Sequence, residues 1–452
     1  MGNGARKERM RLELRSAAPW GVDVWLLIFI LVTALISRLY ALDSFPYYPP
    51  QWPWLGDDPR HPGLYTDEAS YLELAMALPS SLTPFQPWLQ LAAVKLSTLL
   101  LGPSVLAARL PSALASALTA LIVYLAAKEL FRSKASALLA SLYFIVMVPG
   151  LIYGRMLFLE NFAALFLALE FYFLMRYLRL PSSRLAYFTS VFAALASMSK
   201  VTGIIGPAFL SLALLAEKRI KSNVGPLLVA WSPIFAFVIV SSLIRGSLTL
   251  SLSSWLVGYV GRELSWQFLI LQAMPSGHIV FSGGYVKPEL WYLYAYLCLA
   301  AMAIAKRREA SILMYPLTAF FTIPLAVWGF GAYYPILIYP MLAIAAGGGT
   351  PLLLRTSNTS ALGLFSALYV PLVASMTASF TLPVIEFNYS LFALKVGILL
   401  APILLWALAN RVLYSLRRMK RLSFTTVLLI CYFALLLIST PYLYPYYFLG
   451  RA

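Results

Sequence analysis

The chain has 452 residues, of which 61% are hydrophobic and only 11% charged, with a mean hydropathy of +0.80. That balance excludes a soluble enzyme or a string of soluble domains and places the chain among polytopic membrane proteins. The net charge of +17 does not indicate a nucleic-acid partner, because the basic residues flank apolar runs and so mark a cytoplasmic side.

Residues 1–23 read as a basic cytoplasmic tail that runs into a first span, about Val24 to Tyr40, with no cleavable signal. Residues 43–109 form a first long outer loop. It begins with YYPPQWPWLGDDPRHPG, whose Pro, Gly and aromatic content suits an interfacial loop. The stretch TDEASYLELA then predicts an amphipathic helix with an acidic first turn at the membrane surface. A second apolar piece, WLQLAAVKLSTLLLG, carries Lys95 at its middle. A lysine there is costly inside a bilayer, so this piece is expected to lie along the outer surface.

Spans 2 and 3 follow at about Leu110–Leu130 and Ala135–Tyr153, joined by the basic turn FRSK. Span 4, about Asn161–Tyr177, returns inside at RYLRLPSSR, and two shorter spans, about Leu185–Met198 and Thr202–Ala216, meet outside at Lys200. Span 7, about Pro226–Ile244, leads into a second long outer loop, 245–289. Spans 8 and 9 flank the inner KRRE, span 10 starts near Tyr334, and three more complete a set of about thirteen crossings, each near the ~20 residues a bilayer requires. The fold class is thus an all-α polytopic membrane protein with outer-face amphipathic helices, in one transmembrane domain (1–452) with no separate soluble domain. Cys298 and Cys431 both lie in apolar runs and imply no disulfide framework.

The outer face holds the residues able to do chemistry. Asp43, Asp67, Glu68 and Glu160 lie near span ends, and so do Arg109, Arg155 and Lys200. Carboxylates beside cations at one membrane surface suit a reaction on an anionic lipid headgroup: a guanidinium fork or an ammonium holds a phosphate, and a carboxylate takes a proton from an attacking hydroxyl. The competing interpretation is plain: the cations snorkel to headgroups, Thr66 caps a helix, and Asp67 and Glu68 complement its dipole. His61 and His278 are the only histidines and stand far apart, so a histidine metal site is weakly supported. Asp57, Asp58 and Asp67 leave room for an oxygen-ligated Mg²⁺ or Mn²⁺ without requiring one.

In this order and topology TDEASYLELA, AARLPSALASALTALIVYLAAKELF, YGRMLFLEN and ALASMSKVTG resemble membrane glycosyltransferases of the GT-C class. The resemblance is nearest to the protein O-mannosyltransferase and aminoarabinose (lipid A) transferase branch, which uses polyprenyl-phosphate sugars such as dolichyl phosphate mannose. It runs from span 1 to about span 6. It implies the GT-C fold, a polyprenyl-phosphate sugar donor, no required cofactor, an outer active site (extracellular, periplasmic or luminal), and a protein, lipid or glycan acceptor. Asp67 matches the catalytic acid and Glu68 its neighbour. Arg155 and Lys200 match residues that hold the donor phosphate; Arg109 matches the arginine of the RLPS segment and is a further candidate for the phosphate, with a structural role as the alternative. Glu160, Tyr71, Tyr333, Tyr334 and His278 are further candidates for substrate contact.

Three departures stand out. Glu160 replaces a frequent Asp, PFQPWLQ lacks the usual Pro-Pro pair, and the loop before Asp67 is long, which leaves Asp43, Asp57 and Asp58 as fallback bases. A transporter or flippase is the rival expectation. Such proteins place ionisable groups at mid-span in repeated halves, whereas here only Glu170 is plainly at mid-span and no repeat is visible.

Overall fold

The computed structural model describes residues 23–43, 57–58, 61–80, 88–245, 290–327 and 334–355. The expectations for the N-terminal tail up to residue 22, for loop residues 246–289, for the crossings after 355, and for His278 and Tyr333 lie outside the described residues.

The first span is helix α1 (Asp23–Leu39). The loop after it contains a feature that an all-α reading did not include. Strands β1 (Asp57–Asp58) and β2 (His61–Tyr65) pair antiparallel, with Asp57 opposite Tyr65 and Asp58 opposite His61. The backbone groups of the two arms satisfy one another. Two surface helices come next, α2 (Thr66–Met76) and α3 (Trp88–Leu101).

Helix α3 is 14 residues long, about 21 Å and short of the ~30 Å hydrocarbon core. One face is buried through Gln90, Leu91, Val94 and Thr98, while Trp88, Leu96, Leu99, Leu100 and Leu101 are exposed. Lys95, the residue that made a crossing costly, turns its ammonium to the carbonyls of Leu78 and Met76, at the frayed C-terminal end of α2. A cation there satisfies orphan carbonyls and complements the helix dipole.

Helix α4 (Val105–Phe131) is the central strut. Ser104 caps it by accepting from the Ala107 amide, and the chain leaves it through Arg132 at φ 52°. Its buried stripe is largely alanine and serine, including Ala108, Ser112, Ala113, Ser116, Ala117 and Ala120, which lets neighbouring helices approach closely. The third span is broken: α5 (Lys134–Val146) stops at Met147, and a short α6 (Val148–Tyr153) restarts at V-P-G. Pro149 has no N–H to lose in a first helical turn.

The remaining described elements are α7 (Glu160–Arg179), α8 (Ser183–Ser199), a 3-10 turn (Val201–Ile204), α9 (Ile205–Ala216), α10 (Val224–Arg245), α11 (Leu290–Ile304), α12 (Arg308–Val327), a 3-10 turn (Tyr334–Ile338) and α13 (Tyr339–Arg355). The runs Val105–Phe131, Glu160–Arg179 and Ile336–Leu354 are long and apolar enough to cross a membrane, and shorter apolar helices accompany them. Mid-span Glu170 is fully buried, and Gly206 of α9 makes room for it: a Cβ there would stand 2.8 Å from the carboxylate.

Charge is sorted by end. At one end Arg179 pairs with Glu129 at 2.7 Å and Arg308 with Glu217 at 2.9 Å, joining α4 to α7 and α9 to α12. The other end holds the start of α4, the start of α7, the end of α8 and both surface helices.

Candidate functional site

Helix periodicity gives adjacent Asp67 and Glu68 different surroundings. Successive residues point about 100° apart. Asp67 is half-buried, and Glu68 is completely buried. Glu68 meets Arg109 of α4 in a two-pronged pair, Nε to Oε1 at 2.8 Å and Nη2 to Oε2 at 2.7 Å, with both side chains fully buried. The same carboxylate accepts from the Leu157 amide at 2.7 Å, and Arg109 also donates to the Leu42 carbonyl at 3.2 Å. Glu68 is thereby engaged as the counter-ion of Arg109, and the Arg109 fork lies on that carboxylate, in keeping with the structural role left open for it by the sequence. Together they tie α2, α4, the end of α1 and the turn before α7 into one unit.

Arg155 lies on that turn, next to the pair. It is buried and donates to the Tyr40 carbonyl at the end of α1. Burial, and then the positive charge of Arg109, pull its guanidinium down to about 10, so it is still a cation at neutral pH. A third arginine, Arg38, was not singled out from the sequence. It is fully buried and donates to Ser116 at 2.9 Å, to the Ile145 carbonyl at 3.1 Å and to the Phe144 carbonyl at 3.2 Å. It therefore caps the end of α5 and locks it to α1. The one signal for it is a charge inside the last turn of an apolar span.

On the other side of Asp67 stands a second cluster. Lys200, where α8 ends, pairs with Glu160 at the start of α7 across 2.9 Å. Its ammonium also donates to the Tyr71 hydroxyl at 2.7 Å and sits 5.0 Å from the centre of that ring. Burial pushes the Tyr71 phenol above its ordinary value, against the pull of the Lys200 ammonium, so it stays protonated. Asp67 is close enough for its charge to act on both Tyr71 and Glu160. The backbone at Lys200 is set by the close turn after it. A side chain on Gly203 would collide with the Ala196 carbonyl at 1.9 Å, so only glycine fits.

Asp67, Glu68, Tyr71, Arg109, Arg155, Glu160 and Lys200 thus come from four separate parts of the chain to one end of the helix bundle. Tyr334 opens the 3-10 turn that packs against α7. Asp43 is exposed beyond α1, and Asp57 and Asp58 form the strand before β2. Among the described residues no three His, Cys, Asp or Glu side chains group as a metal site would need.

Residues 82–244 match the sequence family described as dolichyl-phosphate-mannose-protein mannosyltransferase. In three dimensions the chain is similar to ArnT from Cupriavidus metallidurans bound to undecaprenyl phosphate. The identity is 17%, with 94% of this chain and 79% of that one covered and a TM-score of 0.58. The chain has the GT-C fold. The apo state of the same ArnT matches at 15% identity, TM-score 0.57, over 94% of this chain and 78% of that one. Arabinosyltransferase EmbB from Mycobacterium smegmatis matches at 14% identity and TM-score 0.55, over 92% of this chain but only 40% of its own length. No curated protein sequence matches the chain.

Proposed function

We propose that this chain is an integral membrane glycosyltransferase that moves a sugar from a polyprenyl-phosphate carrier to an acceptor hydroxyl, on the outer face of its membrane. The observation that carries this reading is the convergence of Asp67, Tyr71, Glu160 and Lys200 beside buried Arg155 at one end of a GT-C bundle. The partial family match and the ArnT complex with undecaprenyl phosphate support the donor class.

In the proposed reaction the acceptor oxygen attacks the anomeric carbon while the bond from that carbon to the phosphate oxygen breaks. The bonding pair leaves with the phosphate, and the acceptor proton passes to Asp67, which is half-buried and therefore reachable. One displacement from the face opposite the phosphate inverts the anomeric centre. Lys200 and Arg155 stabilise the charge that grows on the departing phosphate. Tyr71 and Glu160 hold the Lys200 ammonium in place. Glu68 and Arg109 act as the frame on which Asp67 and the Leu157 turn are mounted.

The test is transfer from a synthetic polyprenyl-phosphate mannose by purified protein, with Asp67→Asn as the variant. Asparagine keeps the shape and the capping ability but cannot take a proton at neutral pH. Removal of a general base lowers the rate by ~10²–10⁴. Wild-type transfer by the variant would remove Asp67 from the chemistry and redirect the search to Asp43, Asp57 and Asp58.

A further inference from the structure

Glu160 starts α7, yet that helix has no cap of its own. The residue before it, Leu159, contributes no side-chain bond to the first-turn amides. The first amides of a helix need partners, and in a buried place water does not supply them. The partner here comes from another helix. Gln90 on the buried face of surface helix α3 is completely buried. Its carbonyl oxygen accepts from the Phe162 amide at 3.4 Å, and its amide nitrogen donates to the Phe158 carbonyl at 2.9 Å and to the Ser112 hydroxyl at 2.7 Å. Both N–H groups and the oxygen are used. The opposite orientation of the amide would set oxygen against the Phe158 carbonyl, so the assignment is fixed by chemistry.

The two backbone contacts bracket Glu160, one two residues before it and one two residues after. On the opposite side Glu68 of α2 holds the Leu157 amide at 2.7 Å, and from inside the turn Asn161 donates to the Tyr153 and Met156 carbonyls at 3.0 and 3.1 Å. The turn from Arg155 to Glu160 is therefore suspended between both surface helices. Its residues are held by α2 through a carboxylate and by α3 through a carboxamide.

We infer that Gln90 is a positioning residue: it caps α7 from a different helix and so fixes the Glu160 carboxylate against Lys200. This rests on the transferase reading given above, and extends the working site to a residue that touches neither donor nor acceptor. The contact between Lys200 and Glu160 spans 2.9 Å, a distance that a small shift of the turn would lengthen at once. Because α3 also presents its exposed leucines outward, the same helix that meets the surroundings sets the geometry of the ion pair.

The experiment compares Gln90→Met, which keeps length and loses all three hydrogen bonds, with Ser112→Ala, which loses only the bond to α4. Transfer from polyprenyl-phosphate mannose is measured together with amide hydrogen exchange over residues 157–162. Gln90→Met is expected to lower kcat/KM for the donor ~10–100-fold, the scale of a reacting group displaced by about an ångström, and to raise exchange in the turn. Ser112→Ala is expected to leave both near wild type. A Glu160→Gln background supplies the readout that general destabilisation would not move: there, adding Gln90→Met is expected to cost no more than about twofold, because the group it positions is already gone.

A full multiplicative loss in that background would overturn the proposal, as would wild-type transfer with a protected turn. If Gln90→Met yields no folded protein, Gln90→Asn withdraws the same amide by one methylene and carries the same expectations. A wild-type protein with no transfer activity would overturn the transferase reading instead, and exchange over 157–162 would still decide whether Gln90 holds the turn.

Discussion

Replacing Glu68 by Gln separates a framing carboxylate from a catalytic one. Glu68 and Arg109 are each 0% exposed, and two charge-assisted bonds of 2.8 and 2.7 Å join them. Glutamine keeps one acceptor oxygen, enough for the Leu157 amide, but removes the charge that compensates Arg109. A buried cation left without its counter-ion typically costs ~3–5 kcal/mol, and the retained oxygen places Glu68→Gln at the lower end of that range. Arg109→Met strands the carboxylate and should cost a similar amount. The double variant should cost less than the two singles together, by a coupling energy of ~1–3 kcal/mol, because one interaction is being removed twice. The assay is equilibrium unfolding of purified protein by SDS titration in mixed micelles, with transfer expressed per folded molecule. The expected pattern is a large loss of stability with nearly normal transfer in what remains folded. Wild-type stability combined with lost transfer would refute the framing role and return Glu68 to the chemistry.

Other expectations follow from the same geometry. Arg155→Ala should weaken binding of undecaprenyl phosphate by ~1.5–3 kcal/mol, the worth of a bond to a charged group, and Arg155→Lys should recover only part of this because the planar fork is lost; calorimetry with the lipid in micelles decides. The protonated form of Arg155 is the one that binds an anion, so affinity should be full below its depressed value of about 10 and fall as pH rises through it, and Arg155→Ala should flatten that fall. A pH profile unchanged by the substitution would show that another cation sets it. Lys95→Met should lower stability by ~0.5–2 kcal/mol through loss of the cap on α2, without changing donor affinity, when measured by the same SDS titration.

Much of this was legible in the residues, and the reasons differ by element. Each apolar run flanked by basic turns up to residue 355 corresponds to a helix or broken helix, because the length of a bilayer and the cost of exposed backbone leave few alternatives. The residues of the candidate site were also visible as charges near run ends. Their partners were not. Glu68 and Arg109 are 41 positions apart, and Lys200 and Tyr71 are 129 apart, so no local pattern predicts which carboxylate meets which cation. Gln90 was hidden for a different reason: one polar residue in a surface helix ordinarily faces water, and only the packing of α3 on α4 turns it inward. The hairpin at Asp57–Tyr65 escaped because two residues of strand leave no period to read.

The pairing also constrains how charge moves during transfer. Glu68 is matched by Arg109, and Glu160 by Lys200, while Asp67, Arg155 and the deeper Arg38 lie near the same turn. On the proposed reaction a donor phosphodiester brings one negative charge to this turn. As the bond to the sugar breaks, the phosphate gains a second negative charge and Asp67 loses its own by taking the acceptor proton. The total is unchanged, and charge has only moved toward the cations, which matters most where the surroundings are poorly screened. Two measurements on Asp67→Asn should then move in opposite directions. Transfer should fall by ~10²–10⁴ with the base removed. Undecaprenyl phosphate, used as a probe for the proposed polyprenyl carrier in its leaving form, should bind at least as tightly as to wild type, since the substitution deletes a negative charge near an anion. If transfer and lipid binding fall together, the variant has lost its fold, and if binding weakens in a protein of unchanged stability, Asp67 is not beside the phosphate at all.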